Sequence, residues 1–502
     1  MSGRSAKSNN RGSDLFGYFV SGKYKEFHTN QFAASSSSLV GHTATGGVIS
    51  DYADGPTVYR AHIFASSGTF EVNSIGDFGD TVDYLIVGGG GGGGGNYESG
   101  GGGAGGYRAT TPEGPGGPSP SAESSYTIST GNYTVTVGAG GARGDGITNS
   151  GSTLGRGRDG GQSAFFPVPV SYPHPTYIRS EGGGGGGAYS PNPTSPNSVP
   201  GRPGGSGGGA ANQAGAEASG PFSGGSGNTI PGGTDPAPNQ GHAGGTRGTQ
   251  AHGPQYNGSG GGGAGAVGNS NTTNTRTESA GGIGKRTTIV GPAYNIGTPG
   301  PGSQTGGWLA GGGGGGTYHT PQDGGGYGGS WDGSSLQPGG PYAGGGNGGN
   351  GHPSSVVLGE NGTAATGGGG GSGSYEGAPG AGNGGSGIVV VRYQIGELTA
   401  QTKASGGNVS FYNNKTIHTF TNSGTFTVDN NGGNPLSIDM LSSLAAAVAA
   451  VKILVVVEVL VDTLQVLQLV PQVQLQSPLV AVEHKGTVLA PLLLVHKEFP
   501  VD

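Results

Sequence analysis

The chain contains no cysteine, so it has neither a disulfide framework nor a thiolate metal site. Charge is sparse: Asp, Glu, Lys and Arg make up 10% of the 502 residues, and the formal net charge is −7. Disorder driven by charge needs far more than this. Weak acidity without a basic run also argues against nucleic acid or an anionic membrane as the main partner. Behind Arg4 and Lys7 there is no apolar stretch, only Asn9-Asn10-Arg11-Gly12-Ser13-Asp14, so no secretory signal is expected. The one apolar run long enough to suggest a span, 444–461, is interrupted by Lys452 and Glu458. Each is expensive at mid-bilayer, and no membrane insertion is expected.

What is present is glycine, 120 residues of it, with 32 prolines. That composition disfavours an ordinary enzyme domain. Residues 1–41 are polar and serine-rich and read as a leader or attachment segment. From Thr57 the texture alternates: Val58, Arg60, His62 and Phe64 fall on one face, Tyr59, Ala61 and Ile63 on the other. These are short strands. The strongest strand, Val82-Asp83-Tyr84-Leu85-Ile86-Val87, runs directly into eight glycines, and Ile388-Val389-Val390-Val391-Arg392-Tyr393 follows the last of the glycine-dominated stretch. The two strands are expected to belong to one antiparallel β module, 42–87 and 388–403, with 88–387 as a long insertion. Glycine at this density forbids an amphipathic helix before residue 440.

The opening then restarts. Ala404-Ser405-Gly406-Gly407 echoes Ala44-Thr45-Gly46-Gly47, and His418, Ser423 and Ile438 repeat His62, Ser67 and Val82 at one offset of 356 residues. Residues 404–439 are therefore the start of a second unit. After Asp439 glycine nearly vanishes. Reading glycine codons one base late gives valine, alanine and glutamate. Undoing that slip turns Val456-Val457-Glu458-Val459-Leu460-Val461-Asp462-Thr463 into Gly-Gly-Gly-Gly-Ala-Gly-Gly-Tyr, the sequence of 100–107 at the same offset. Residues 440–502 are thus read as an out-of-frame tail; resequencing that found an intact frame around codon 439 would remove this reading. Its valine runs are an aggregation hazard.

Glycine runs at 88–95, 182–187, 260–263, 311–316 and 367–371 are separated by segments rich in Pro, Asn, Ser and Tyr, which suit turns. A flexible coil is one outcome, because glycine loses the most backbone entropy on ordering. The other is a packed array of polyglycine-II helices, with three residues per turn and no internal hydrogen bonds, whose peptide groups pair between neighbours. Runs of comparable length framed by strands favour the array. No Gly-X-Y period holds, which excludes collagen. The expected fold is mainly β and irregular: a small antiparallel module carrying packed polyglycine-II helices, without substantial helix before residue 440.

The strand 82–87 with its glycine run, the block 100–107, Tyr133-Thr134-Val135-Thr136-Val137-Gly138-Ala139-Gly140-Gly141, and Gly384-Gly385-Ser386-Gly387 leading into 388–393 together resemble the glycine-rich domain of phage tail-fibre and virion structural proteins. The resemblance runs roughly from Ala44 to Ile438. The architecture is also similar to tail-fibre tip adhesins, in which loops between polyglycine helices contact the host receptor. A remoter similarity, to the glycine-rich extracellular region of some receptor tyrosine kinases, lacks a kinase domain here. The resemblance implies a virion protein acting outside the cell. Its partners would be other tail proteins and a host-surface glycan or outer-membrane protein. A decorating virion protein without a receptor role, or a bacterial surface or matrix protein, is the alternative.

On the adhesin reading chemistry resides in loops. The candidates are aromatic and histidine residues beside polar or proline residues: Tyr172, His174, Tyr177, Trp308, Tyr318, His319, Tyr327, Trp331 and Tyr342. Aromatic faces suit sugar rings and protein patches. The competing role for each is a hydrophobic plug on the lattice ends. Other motifs carry little. Arg143-Gly144-Asp145 has a glycine between two charges, expected by chance here. Gly284-Lys285-Arg286 fails as a P-loop because Ser279 takes the first glycine position and Arg286 that of the magnesium-binding hydroxyl. The 11 histidines lack metal-ligand spacing. No catalytic triad or carboxylate pair can be assembled, so no enzymatic activity and no cofactor are expected.

Overall fold

The computed structural model describes residues 39–95, 98–111, 122–145, 155–169, 176–188, 200–212, 223–227, 240–247, 256–270, 279–291, 296–302, 304–318, 326–337, 340–352, 355–373, 380–397 and, in the second unit and tail, 404–412, 415–420, 424–428, 438–443, 452–457 and 467–469. It is mainly β, with small, largely antiparallel sheets and essentially no helix. Among the described residues no helix is long and apolar enough to cross a membrane.

Two sheets form a sandwich. Strands β1 (Thr43–Thr45), β2 (Val48–Asp54), β3 (Thr57–Phe64), β4 (Gly68–Ser74), β5 (Thr81–Val87), β6 (Tyr107–Ala109), β7 (Tyr126–Thr127), β8 (Gly131–Thr136), β9 (Ser163–Pro167) and β10 (Ile178–Ser180) are joined by a late strand, Ile388–Glu397. One sheet runs β1-β4-β8-β9-β10. The other runs β2-β3, then Ile388–Glu397, then β5-β6. The late strand is antiparallel to both neighbours, with Val389 opposite Phe64 on one side and Ile388 opposite Val87 on the other. The chain therefore leaves the centre of this sheet at Gly88, adds only the edge strand β6 on the way, and returns to the centre after Gly387.

Period-two alternation divides the side chains of this sheet between two cores. Phe64, Val82, Tyr84, Ile86, Val389, Val391 and Tyr393 meet Phe70, Tyr133, Val135 and Phe165 of the other sheet. The opposite face, with Ala61, Ile63, Leu85, Val87, Ile388 and Val390, meets Ala104, Ala264, Ala310, Leu309, Ile289 and Val290 of the glycine region. Burial on both faces is why 388–391 reads as unbroken β-branched sequence rather than as alternation. At the sandwich centre His62 is fully buried and its ring meets Phe70 edge-on, centroids 5.0 Å apart. His62 Nδ1 donates to the Gly46 carbonyl at 2.7 Å, so Nε2 accepts from the Tyr393 hydroxyl at 3.0 Å. Burial is the main cause of the lowered pKa of this neutral imidazole.

The glycine region is held differently. Gly88, Gly91 and Gly94 donate N–H to the carbonyls of Gly106, Gly103 and Gly100; Gly89, Gly92 and Gly95 to those of Gly161, Arg158 and Gly155; Gly90 and Gly93 to those of Gly385 and Gly382. The donor direction thus moves to a new neighbour at each residue and returns to the first at the fourth. Three further segments donate back: Gly183 and Gly186 to Gly89 and Gly92, Gly141 and Gly144 to Gly90 and Gly93, Gly370 and Gly373 to Gly91 and Gly94. Six neighbours surround this run, and all these bonds lie between 2.7 and 3.0 Å. A Cβ on Gly90, Gly91, Gly92 or Gly93 would run into the carbonyls of Gly368, Gly184, Ala142 and Gly371. Glycine is required here by close approach of backbones, not by an unusual φ.

The second unit repeats the first in miniature. Its hairpin, Asn408–Tyr412 with Lys415–Phe420, pairs Asn408 with Thr419 through Tyr412 with Lys415; the first hairpin pairs Val48 with Ile63 through Asp54 with Thr57. Two cross-strand pairs fewer remove four residues, which is why the Ala-Ser-Gly-Gly match is offset by 360 and the later ones by 356. His418 Nδ1 donates to the Gly406 carbonyl at 2.7 Å, as His62 does to Gly46. The place taken by Ile388–Glu397 in the first unit is filled here by Lys452–Val457, between Lys415–Phe420 and Ile438–Ser443.

Candidate functional site

The hydrogen-bond register fixes the direction of every glycine run. Runs 88–95, 138–144, 182–187, 206–210, 241–247, 266–269, 310–316, 343–349 and 367–373 lead away from the sandwich. Runs 100–106, 155–161, 202–205, 224–227, 258–264, 279–283, 326–329, 359–363 and 380–387 come back. Because outward and returning runs alternate strictly along the chain, every connection that follows an outward run joins the lattice at the same remote end. The sandwich, the sheet containing Trp308 and the turns at 204–206 and 264–266 share the opposite end.

The remote end holds several buried polar residues. A small sheet there is built from Tyr256–Asn257, Thr317–Tyr318, Asn350–His352 and Ser355–Val357, and Asn257, Thr317 and Asn350 on it are buried. Val356 and Val357, on its strand Ser355–Val357, and Leu358 just after it are exposed. Glu98 lies in the reversal between 88–95 and 100–106. Its carbonyl accepts from the N–H of Asn212 at 2.9 Å, and the next residue, Ser99, donates from Oγ to the Gly95 carbonyl at 2.6 Å. The Glu98 side chain is 4% exposed and its Oε2 has no hydrogen-bond partner. Burial pushes its carboxyl up to about 8, and the charge of Arg247 opposes this only in part. Near neutrality this carboxyl is protonated in the main and can donate as well as accept. Among the described residues no group of His, Asp and Glu is placed to hold a metal.

The sequence candidates are split between the two ends. Tyr318 is on the strand Thr317–Tyr318 at the remote end; His319, which follows it, lies outside the described residues, as do Tyr172 and His174. Tyr177 is at the sandwich end, half-buried and stacked on Phe166 with centroids 4.2 Å apart. Trp308 corrects the loop expectation. It sits on the strand Gln304–Leu309, 1% exposed, packed with Ala266, Ile283 and Ala343, and its Nε1 donates to Gln304 Oε1 at 2.9 Å. Tyr342 is buried too, because its backbone opens the next outward run. Trp331, half-buried, bridges Gly282 and Leu336, also at the sandwich end, and Tyr327 is half-buried in a returning run. Trp308 and Tyr342 thus plug the end that already carries the sandwich.

In the connections that follow outward runs, sequence reading passed over Tyr97, Tyr189, Phe222, Tyr256 and Tyr375. Their side chains lie outside the described residues; counting alternate breaks between glycine runs would have selected them. No curated protein matches the chain. The family model of a glycine-rich domain matches residues 65–285, from the turn before β4 to the start of the strand Lys285–Arg286, so what this chain carries is a glycine-rich domain.

Proposed function

We propose that the chain is a non-enzymatic structural protein of a phage tail fibre or fibre tip, in which a polyglycine-II lattice presents host-contacting loops. The three-residue hydrogen-bond period and the six backbone neighbours of 88–95 are what three residues per turn requires. The observation that carries the reading is the strict alternation of outward and returning runs, by which the connections that follow outward runs all join the lattice at the end away from the sandwich. The interior of a backbone lattice has no room for side chains, so recognition falls to its periphery, the connections first. The sandwich end then faces the rest of the particle. The site of action is the virion, outside the host cell.

The test is adsorption. Purified full-length protein added to host cells ahead of phage should block phage attachment. Replacing Tyr97, Tyr189 and Tyr375 with serine should abolish the block while melting temperature stays unchanged. Unimpaired blocking by that triple variant would place recognition elsewhere. Incorporation into particles without any effect on adsorption would make the protein a decorating component instead.

A further inference from the structure

No window of the sequence holds a basic run, yet folding assembles one on the side of the lattice. Arg143 is on the outward run 138–144, Arg156 and Arg158 are on the returning run 155–161, and Arg202 is on 202–205. These runs are held together edge by edge. Arg158 N–H donates to the Ala142 carbonyl at 2.8 Å, Gly157 N–H to Gly186 at 2.9 Å, and Arg202 N–H to Gly185 at 2.8 Å. Arg143 and Arg158 are exposed, Arg156 and Arg202 half-exposed. The acids among them are Asp159, which accepts from Arg202 Nε at 2.7 Å, and the exposed Asp145. Arg156 Nη2 donates to the Pro200 carbonyl at 2.6 Å. Burial and the nearby Arg202 both lower its pKa, the mark of two like charges held close. The connections 146–154 and 189–199, which continue from the outward runs beside this face, contain no charged residue. The patch is thus left with positive charge in excess on a chain whose net charge is −7.

We propose that this face binds an anionic glycan through carboxylate, sulfate or phosphate groups held by Arg143, Arg158 and Arg202. Guanidinium forks match such oxyanions in bidentate geometry. A few arginines suit a few anionic groups, whereas nucleic acid presents a continuous phosphate lattice that the acidic remainder of the surface repels. The inference rests on the host-surface reading and gives that surface a chemistry.

The probes are dextran sulfate, polygalacturonate and neutral dextran of matched length, and a single-stranded oligonucleotide, titrated against the full-length protein at low and at physiological salt. Both anionic polysaccharides should bind and neutral dextran should not. Arg143→Gln with Arg158→Gln should weaken binding roughly tenfold or more, and Asp145→Asn should strengthen it, all without a change in melting temperature. Equal binding of neutral dextran, tighter binding of the oligonucleotide, or an unaffected double variant would overturn the proposal. Cell adsorption separates the two readings. A wild-type protein that blocks attachment, with the arginine variants blocking equally well, sinks the patch and leaves the host-contact reading standing. A wild-type protein that binds the polyanions but never blocks attachment does the reverse.

Discussion

The sandwich and the lattice share the strands β5 and Ile388–Glu397 but are stabilised by opposite means. In the sandwich, side chains do the packing: Phe70, Tyr133, Phe165 and Tyr393 meet ring to ring across two sheets. In the lattice, side chains are what must be absent, and the backbone N–H groups of 88–95 all pair with carbonyls of other segments. A glycine run gives up a large backbone entropy on ordering and receives a hydrogen bond of modest net worth in return, so a lattice made of it needs an anchor. The sheet supplies one, because both the first outward run and the last returning run are continuous with its central strands. The lesson is that one face of a six-stranded sheet, lined by small and β-branched residues, can substitute for the apolar core a glycine region lacks.

The sharpest way to break the comparison is to add one methyl group. Gly91→Ala places a Cβ against the Gly184 carbonyl in the lattice interior, where no side chain can yield. The cost should exceed about 3 kcal/mol. Amides of the neighbouring runs should lose protection together in hydrogen exchange. The reverse change at the exposed rim, Ala142→Gly, should cost no more than about 1 kcal/mol. Equal effects at the two positions would mean that the runs are not packed.

Titration distinguishes the two regions by sign. Glu98, in the lattice, has a folded pKa raised to about 8 from an ordinary value near 4.5. The native state binds the extra proton, so this group's contribution to stability is full below about pH 4.5 and is lost as pH rises towards 8. Glu98→Gln should flatten the wild-type decline between pH 5 and 8 by about 3 kcal/mol. His62 and His418, in the two sandwich units, have lowered folded pKa values. Their contribution is present above about pH 6.5 and is lost on acidification below it. Thermal unfolding across pH, compared between wild type and Glu98→Gln, checks the first sign, and His62→Gln checks the second.

In the sandwich, truncation leaves a hole rather than a collision. Val390→Ala on the face towards the lattice should cost about 2 kcal/mol, and denaturant melts should show the loss as a smooth shift in midpoint. A loss as severe as that of Gly91→Ala would show that the sheet face and the lattice form one cooperative unit.

Much of this contrast could be read from residue order. The two faces of β3, with His62 and Phe64 against Tyr59, Ala61 and Ile63, follow from alternation, and those faces meet different cores. Pairing of 82–87 with 388–393 was legible because both are β-branched and abut the glycine region. The loop candidates were less legible. An aromatic residue among glycines reads the same whether it plugs an end, as Trp308 does, or lies in a connection, as Tyr375 does; only the direction of each run separates the two. Glu98 gave no local sign, since a lone acid between glycine runs looks solvated until the fold buries it. The arginine face was invisible because its members come from three separated runs.

The seam between the two regions is also polar. Tyr52, on β2, donates its hydroxyl to the Ile289 carbonyl at 2.7 Å and accepts from Arg392 Nη1 at 2.7 Å. Arg392 in turn donates from Nη2 to Asp83 Oδ2 at 2.9 Å and lies over the Tyr59 ring, 4.2 Å from its centroid. Burial raises the Tyr52 phenol to about 12 despite the adjacent guanidinium, so it stays a neutral donor through the usual pH range. Tyr52→Phe keeps the ring that packs on Gly291 and removes only the hydroxyl. It should cost about 1 kcal/mol, the smallest effect considered, because Arg392 retains Asp83. The informative readout is where the loss appears. If the seam couples sandwich to lattice, amides around Ile289 and of the adjoining run 279–283 should exchange faster in Tyr52→Phe while those of β3 and β5 hold. Uniform acceleration in both regions would mean that the hydroxyl serves the sandwich alone, and that the lattice is anchored through its two covalent ends and the apolar face of Leu85, Val87 and Val390.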